Sequence, residues 1–116
     1  MIEPLNLVTE ESYCEGTMEF DGFTRFNGTL KGELKGKTNS ELIIGQNGVV
    51  EGIVNGDTII VDGFVRGDIH AKKRVVISET GRVIGNIDSP NLAIKFGGFF
   101  EGKSKTLDIP EASTSL

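Results

Sequence analysis

Apolar and polar residues alternate along most of this chain, and short glycine-bounded segments repeat that alternation. The pattern Gly-x-Φ-x-Gly, in which Φ is an apolar residue, occurs five times, and its first glycines are 20, 15, 18 and 17 residues apart. Alternation with a period of two is the period of a β-strand. The copies are GTLKG at 28–32, GVVEG at 48–52, GFVRG at 63–67, GRVIG at 81–85 and GFFEG at 98–102.

A second series, Φ-x-Φ, lies between the copies of the first. Its steps are 17, 16, 17 and 15 residues, and Met18/Phe20 is a weaker forerunner of it. Two series that stay in step over most of the chain indicate a structural repeat. The pairs are Leu42/Ile44, Ile59/Val61, Val75/Ile77, Leu92/Ile94 and Leu107/Ile109.

These repeats predict an all-β fold: a single-domain parallel β-helix, or β-solenoid, with about 17 residues per turn. A helical interpretation fails because the recurring glycines would each cost up to about 1 kcal/mol in a helix. Each turn is expected to contain three short strands, with glycines at the bends. The middle residues of the glycine repeats should stack into one internal ladder, namely Leu30, Val50, Val65, Val83 and Phe100. A second ladder should contain Leu34, Val54, Ile69 and Ile87.

The repeat also sets the expected domain boundaries. We expect the β-helix to span residues 17–109, because an imperfect first coil begins near Thr17. Residues 1–16 lack the repeat, and residues 110–116 begin with proline and are small and polar. Both end segments are therefore predicted to be flexible tails.

The tripeptide Arg66-Gly67-Asp68 resembles a cell-adhesion motif but falls inside the third glycine repeat. Val65 and Ile69 are the predicted core positions of that repeat, so Arg66 and Asp68 should point outward along a strand. An adhesive motif needs a protruding loop. We therefore interpret this tripeptide as part of the repeat.

Composition narrows the functional classes. The chain has 116 residues, a formal net charge of −5 and a pI near 4.8, which argues against a basic nucleic-acid-binding face. Cys14 is the only cysteine, so no internal disulfide can form. With no signal peptide evident, the cytoplasm is the expected location. No apolar run approaches the roughly 18 residues of a membrane-spanning helix.

Candidate chemistry is sparse, so an enzyme is not expected, and no catalytic, cofactor-binding or metal-binding residue is predicted. His70 is the only histidine, whereas zinc sites and catalytic left-handed β-helices use several. No P-loop, dinucleotide fingerprint or nucleophile elbow occurs. The basic run Lys72–Arg74 is interpreted either as a solvated corner or as part of a lateral or membrane-facing patch.

The ends of the predicted solenoid are more informative. A solenoid leaves unpaired strand edges and a core layer exposed at each end unless a cap covers them. Neither end of this sequence has a helix-like cap, while Phe96, Phe99 and Phe100 cluster in the last repeat. These aromatic residues either plug the core or form a subunit interface, and the two roles are compatible.

Together, the rungs of Gly-x-Φ-x-Gly-x-Φ, the closing segment GGFFEG and the short tails resemble the bactofilin family. The resemblance covers about residues 17–109. It implies a right-handed β-helix of triangular cross-section and a bacterial cytoskeletal protein. Such a protein would polymerise without nucleotide or other cofactor, with N-terminal ends meeting each other and C-terminal ends meeting each other.

The resemblance also assigns surfaces and partners. The C-terminal polymer interface would contain Phe96, Phe99 and Phe100. The N-terminal polymer interface would contain Met18, Phe20, Phe23 and Phe26. An N-terminal membrane contact would involve Met1, Ile2, Leu5, Leu7 and Val8. The implied partners are further copies of the chain, the inner membrane surface and cell-wall enzymes, with no nucleic acid. The filaments would support cell shape or organise partner proteins.

One alternative from another functional class stays open at the level of sequence. A β-solenoid can serve as a monomeric or small-oligomer binding module for a polysaccharide or a protein. Such a module is expected to display aromatic residues along a flat face, whereas the aromatic residues here gather near the ends.

Overall fold

The computed structural model describes residues 6–8, 13–37 and 39–105, and this part of the chain is built from β-strands and turns without a helix. Glycine-rich, β-branched segments with a period of two account for this strand content. The strands are β1 (Asn6–Val8), β2 (Tyr13–Phe20), β3 (Phe23–Phe26), β4 (Thr29–Gly36), β5 (Glu41–Ile44), β6 (Val49–Val61), β7 (Phe64–Ile77), β8 (Arg82–Asp88), β9 (Leu92–Ile94) and β10 (Phe99–Lys105).

The strands form two parallel stacks that the chain visits in turn. The first stack runs β2, β4, the first half of β6, the first half of β7, β8 and β10. The second runs β1, β3, β5, the second half of β6, the second half of β7 and β9. The chain is thus a parallel β-solenoid of about five turns with roughly 17 residues per turn. This confirms the predicted fold class, while the handedness and the triangular cross-section stay predictions.

The core consists of the inward columns that the repeats predict. Val50 pairs in register with Leu30 and Val65, and this first ladder continues through Val83 to Phe100. The ladder of Leu34, Val54, Ile69 and Ile87 lies in the same strands. The Φ-x-Φ pairs from Leu42/Ile44 to Leu92/Ile94 supply two further columns. Most members of these columns are fully buried, and the confirmed ladders form one continuous core.

A column of glycines marks the bend in the first stack. The second glycine of each repeat pairs with the next, from Gly32 to Gly102, and each has a φ near +140°. A Cβ added at Gly67 would overlap the carbonyl oxygen of Gly52 on the adjacent strand. Only glycine combines this backbone conformation with so close an approach of two strands. The other members of the column between these ends are Gly52 and Gly85.

The first coil begins earlier than the sequence predicts. Residues 6–8 and 13–16, assigned above to a flexible tail, form β1 and the start of β2. They pair in parallel with β3 and β4, whose edge N–H and C=O groups would otherwise lack strand partners on that side. The predicted tail is therefore wrong for these residues. Residues 1–5, 9–12 and 106–116 lie outside the described part of the chain.

The tripeptide Arg66-Gly67-Asp68 lies flat along β7, as expected. Arg66 points outward beside Glu51 in a column that also contains Lys31, whose ammonium lies 3.9 Å from the Glu51 carboxylate. Asp68 accepts a hydrogen bond from the side-chain amide of Asn86 at 3.0 Å. Both charged side chains thus belong to cross-strand ladders rather than to a protruding loop.

Two buried serines offer a test of this core. The hydroxyl of Ser40 is buried without a hydrogen-bond partner among the described residues, whereas that of Ser89 donates to the Asn91 carbonyl at 2.8 Å. Because an unpaired buried hydroxyl is costly, we expect Ser40→Ala to raise the free energy of unfolding by about 1 kcal/mol. Ser89→Ala should lower it by about the same amount. Urea denaturation of both variants checks this prediction, and a loss of stability in Ser40→Ala would contradict it.

Candidate polymerisation interfaces

Two strands form each end of the solenoid, and each of these strands has one open edge. At the C-terminal end, β9 pairs only with β7 and β10 only with β8 within the described residues. At the N-terminal end, β1 pairs only with β3 and β2 only with β4 in that part of the chain. Each terminal strand therefore presents one edge of backbone donors and acceptors that could pair with another chain.

The C-terminal end is also apolar. Leu92, Ile94 and Phe100 continue three core columns, pairing with Val75, Ile77 and Val83, but they are only partly buried. No described strand lies over them. A last core layer of this kind is the surface that a second subunit or a cap would cover.

Phe96 and Phe99 lie beside this last layer. Phe96 is fully exposed at the tip of a turn in which the Gly98 amide donates to the Lys95 carbonyl at 2.8 Å. Gly97 has a φ of 102°, as the third residue of a type II turn requires. Phe99 is 41% exposed, with the Arg82 guanidinium 5.6 Å from the centre of its ring.

The four residues predicted for the N-terminal interface differ in how deeply they are buried. Met18 is half-buried in the first layer of the Leu34 column, and Phe23 is half-buried on the outer surface beside Glu41. Phe20 is 4% exposed and Phe26 is fully buried, so neither presents a ring to the end surface. The Phe20 ring packs over Gly36, and Phe26 lies between β1 and β5.

Sequence reasoning missed two residues of this end. Cys14 is half-buried in the first layer, directly over Leu30, and Tyr13 is 56% exposed beside it. The Tyr13 hydroxyl donates a hydrogen bond to the Glu15 carboxylate at 2.9 Å, and this bond raises the pKa of Tyr13. The signal was present, because Cys14-Glu15-Gly16-Thr17-Met18 matches Φ-x-Gly-x-Φ, but Ser12 replaces the first glycine.

Among the residues that the structure describes, the two ends carry opposite charge. The first layer and its following turn contain Glu15, Glu19 and Asp21, all exposed. The described part of the last layer contains exposed Lys95 and Lys103 together with one exposed carboxylate, Glu101. Any contact between two like ends therefore brings like charges together, a repulsion that salt weakens.

The residues predicted as membrane contacts fall into two groups. The backbones of Leu7 and Val8 belong to β1 and pair with Arg25 and Phe26. Met1, Ile2 and Leu5 lie outside the described residues. None of the residues that the structure describes forms a helix with the length and hydropathy needed to cross a membrane.

The polar residues at the sides of the solenoid form local structure. His70 lies 3.7 Å from Asp88 in an outward column, and buried Asp57 accepts a hydrogen bond from the Asn39 amide at 2.6 Å. Both line a shallow cleft of about 250 Å³. Lys72 and Lys73 are exposed at a bulge in β7 opposite Asp57. No group of three potential metal ligands occurs within the described ranges.

A parallel solenoid with two open ends suits a self-associating protein, and comparison with known proteins agrees. The model of the bactofilin family, described as polymer-forming and cytoskeletal, matches residues 6–105. The chain belongs to the bactofilin family. The match confirms the resemblance seen in the repeats and supports a cytoskeletal, polymer-forming role for this bactofilin.

Two curated relatives come from Myxococcus xanthus (strain DK1622). Bactofilin BacP is 32% identical over 83 residues, which cover 70% of this chain and 35% of BacP. Bactofilin BacO is 31% identical over 88 residues, which cover 76% of this chain and 68% of BacO. The match thus spans about a third of BacP and about two thirds of BacO. No solved structure gives a significant match.

Proposed function

We propose that this bactofilin assembles end to end into filaments, without nucleotide, as a bacterial cytoskeletal scaffold. The observation that best supports the proposal is the C-terminal layer of Leu92, Ile94 and Phe100, which continues three core columns but is only partly buried. Covering that layer with another subunit removes apolar surface from water, the dominant favourable term in most protein association. Phe99 and Phe96 enlarge the apolar area at the rim.

Growth into a filament follows from having two separate ends. An end-to-end contact buries one face of each subunit and leaves the opposite face available, so further subunits can add. The strand edges of β9 and β10 contribute by offering backbone hydrogen bonds to the incoming subunit. A monomeric binding module would instead have to keep this layer exposed.

The family resemblance implies that like ends meet, and we adopt that arrangement. It brings Glu15 and Glu19 of two subunits towards each other at one junction, and Lys95 and Lys103 towards each other at the next. At 0.1 M salt, repulsion between exposed charges is largely screened once they are more than roughly 10 Å apart. We therefore expect polymerisation to strengthen between about 20 mM and 200 mM salt, whereas head-to-tail contacts between opposite charges would weaken.

Negative-stain microscopy and sedimentation of the purified protein in EDTA, without ATP or GTP, test the proposal. We expect filaments under these conditions, because the assembly rests on apolar burial and strand pairing alone. A protein that stays a single species in size-exclusion chromatography at all salt and protein concentrations would contradict it and favour the binding module.

Single-cysteine variants distinguish the two orientations. Cys14 lies in the first layer, and Ser104 is exposed in the last layer, where it ends the column that begins at Met18. In like-ended filaments, the native chain should cross-link through Cys14, and the Cys14→Ser/Ser104→Cys variant should cross-link through residue 104. In head-to-tail filaments, Cys14 would stack on Phe100, with residue 104 four residues further along that strand, within roughly 13 Å. Only a chain with cysteines at both positions should then cross-link across a junction, through a linker of that length.

The cellular role is the broader part of the proposal. The filaments would lie in the cytoplasm, at the inner face of the membrane, where they would support cell shape or position partners such as cell-wall enzymes. The membrane contact would use the N-terminal segment. Deleting residues 1–5, which precede β1, from a fluorescent copy tests this, because unchanged localisation in cells would exclude a contact through Met1, Ile2 and Leu5.

A further inference from the structure

The outer surface of the solenoid contains both charged and apolar columns. In the first stack, the in-register column of Lys31, Glu51 and Arg66 alternates in charge, while a neighbouring column contains half-buried Val49 and Phe64. The corresponding central column of the second stack is apolar and half-buried. It contains Ile43, Ile60 and Val76.

A second outward column runs beside the apolar one. Glu41 pairs in register with Thr58, and Thr58 pairs with Arg74. Glu41 and Thr58 are half-buried, whereas Arg74 is exposed. We call these six outward residues the lateral face: Glu41, Ile43, Thr58, Ile60, Arg74 and Val76.

We infer that the lateral face binds the same face of a second copy of the chain. The two-fold axis would lie between the two faces, parallel to the strands, at the level of Thr58 and Ile60. Such an axis reverses the order of the strands in the second copy. Ile60 then meets Ile60 of the second copy, and Ile43 meets Val76 of the second copy.

The charge pattern is the reason to prefer this occupant. Glu41 and Arg74 lie one ladder step on either side of Thr58. After reversal, Glu41 faces Arg74 of the second copy, and Arg74 faces Glu41 of the second copy. A two-fold interface requires this kind of self-complementarity. If one residue of the first copy contacts a second residue of the other copy, the same contact occurs again with the two copies exchanged.

An anionic lipid surface fits less well. Arg25, Lys37, Lys72 and Lys73 border the lateral face and would attract such a surface. However, Glu41 is half-buried beside the apolar column, and an anionic lipid headgroup offers no positive charge to its carboxylate. A second copy supplies Arg74 at that position, so it satisfies both charges.

The contact is small, which links it to the proposed function. Two strand spacings of about 4.8 Å separate Ile43 from Val76, so the apolar column is only roughly 10 Å long. A patch of this length covers much less than the roughly 800 Å² that each partner buries in a stable interface. An isolated pair should therefore be weak, and the contact becomes stable when many copies are aligned in filaments. The inference rests on end-to-end assembly in this respect.

Charge exchange tests the inference. In Glu41→Arg or Arg74→Glu, like charges face each other twice per contact, and we expect about a tenfold drop in the association constant between filaments. The double variant should restore the pairing, as seen by filament width and light scattering. Within one chain, the two residues lie two ladder steps apart, roughly 10 Å, on either side of Thr58. An internal ion pair would change the unfolding free energy of the single subunit, whereas pairing between copies changes the association constant.

A covalent cross-link traps even a weak and transient pair, so it provides a readout that does not require filaments. Thr58→Cys in a Cys14→Ser background should be joined by a short bis-maleimide, because the two copies of residue 58 meet at the axis. Ile53→Cys in the same background is the matched control, since Ile53 is 38% exposed on a different surface.

The outcomes separate the alternatives. Cross-linking through residue 58 with rescue in the double variant supports the lateral pair, even if no filaments form and the end-to-end proposal fails. Filaments that pair equally well in all charge variants overturn it. Binding to phosphatidylglycerol vesicles that rises in Glu41→Arg and falls in Arg74→Glu, without a residue-58 cross-link, also overturns it in favour of a lipid surface.

Discussion

Replacing Gly67 by alanine is expected to lower the free energy of unfolding by on the order of 3 kcal/mol or more, with a fall in Tm of roughly 10–20 °C. Gly67 has a φ of +140°, a conformation that L side chains rarely adopt. In addition, the new Cβ would overlap the carbonyl oxygen of Gly52, which belongs to backbone and cannot rotate away. The two adjacent strands would have to separate, and the ladder on both sides would weaken. Thermal unfolding followed by circular dichroism measures the effect.

Gly16 is the matched control for this prediction. It occupies the same column in the first layer and has a φ of +109°, but an added Cβ there would meet no atom within 4 Å. Gly16→Ala therefore contains the conformational strain without the overlap and should cost only about 1 kcal/mol. Equal effects of the two substitutions would show that strand contact contributes nothing at Gly67.

Phe100→Arg is expected to abolish filaments while leaving a β-rich circular dichroism spectrum. Phe100 is the last member of the column that begins at Cys14, and it is half-buried against Val83. An arginine there places a charge in the centre of the proposed C-terminal junction, and like ends would bring two such charges together. Losing a central aromatic anchor typically costs 2 kcal/mol or more, so the critical concentration should rise at least about thirtyfold.

Ile53→Arg serves as the control, because Ile53 is 38% exposed but lies on the outer surface of a middle layer. It adds the same charge without touching either end, so its filaments should match those of the wild type. Pelleting across a concentration series compares the variants. Normal assembly of Phe100→Arg would show that this end layer is not the junction.

Much of the fold could be predicted because the repeats encode register directly. A one-residue slip would turn Val65 and Ile69 outward and Arg66 into the core, so the alternation fixes which residues pair. The glycine column reinforces this, since the strained position must align with another glycine in the strand beside it. The predicted ladders from Leu30 to Phe100 are accordingly found in register.

The prediction was weaker at the N-terminal end because the pattern was defined too strictly. The glycine with positive φ is the second of each repeat, and Gly16 supplies it, but Ser12 stands where the first glycine was required. Met18 was therefore grouped with Phe20 in the Φ-x-Φ series, whereas it pairs with Leu34 in a glycine repeat. The true forerunner is Thr24/Phe26, which a search for two apolar residues overlooks.

The pattern of residues was sufficient to predict the strand period, the length of the turn and the inward columns, because alternation and glycine spacing act locally and repeat. Which residues lie at the ends becomes clear only in the folded chain. The exposure of a strand in the repeat depends on whether another strand pairs beside it. The sequence of β1 shows no repeat, yet β1 pairs with the strand that contains the buried Phe26. The same holds for the lateral face, where Glu41, Thr58 and Arg74 are far apart in sequence and become one column only when the coils stack.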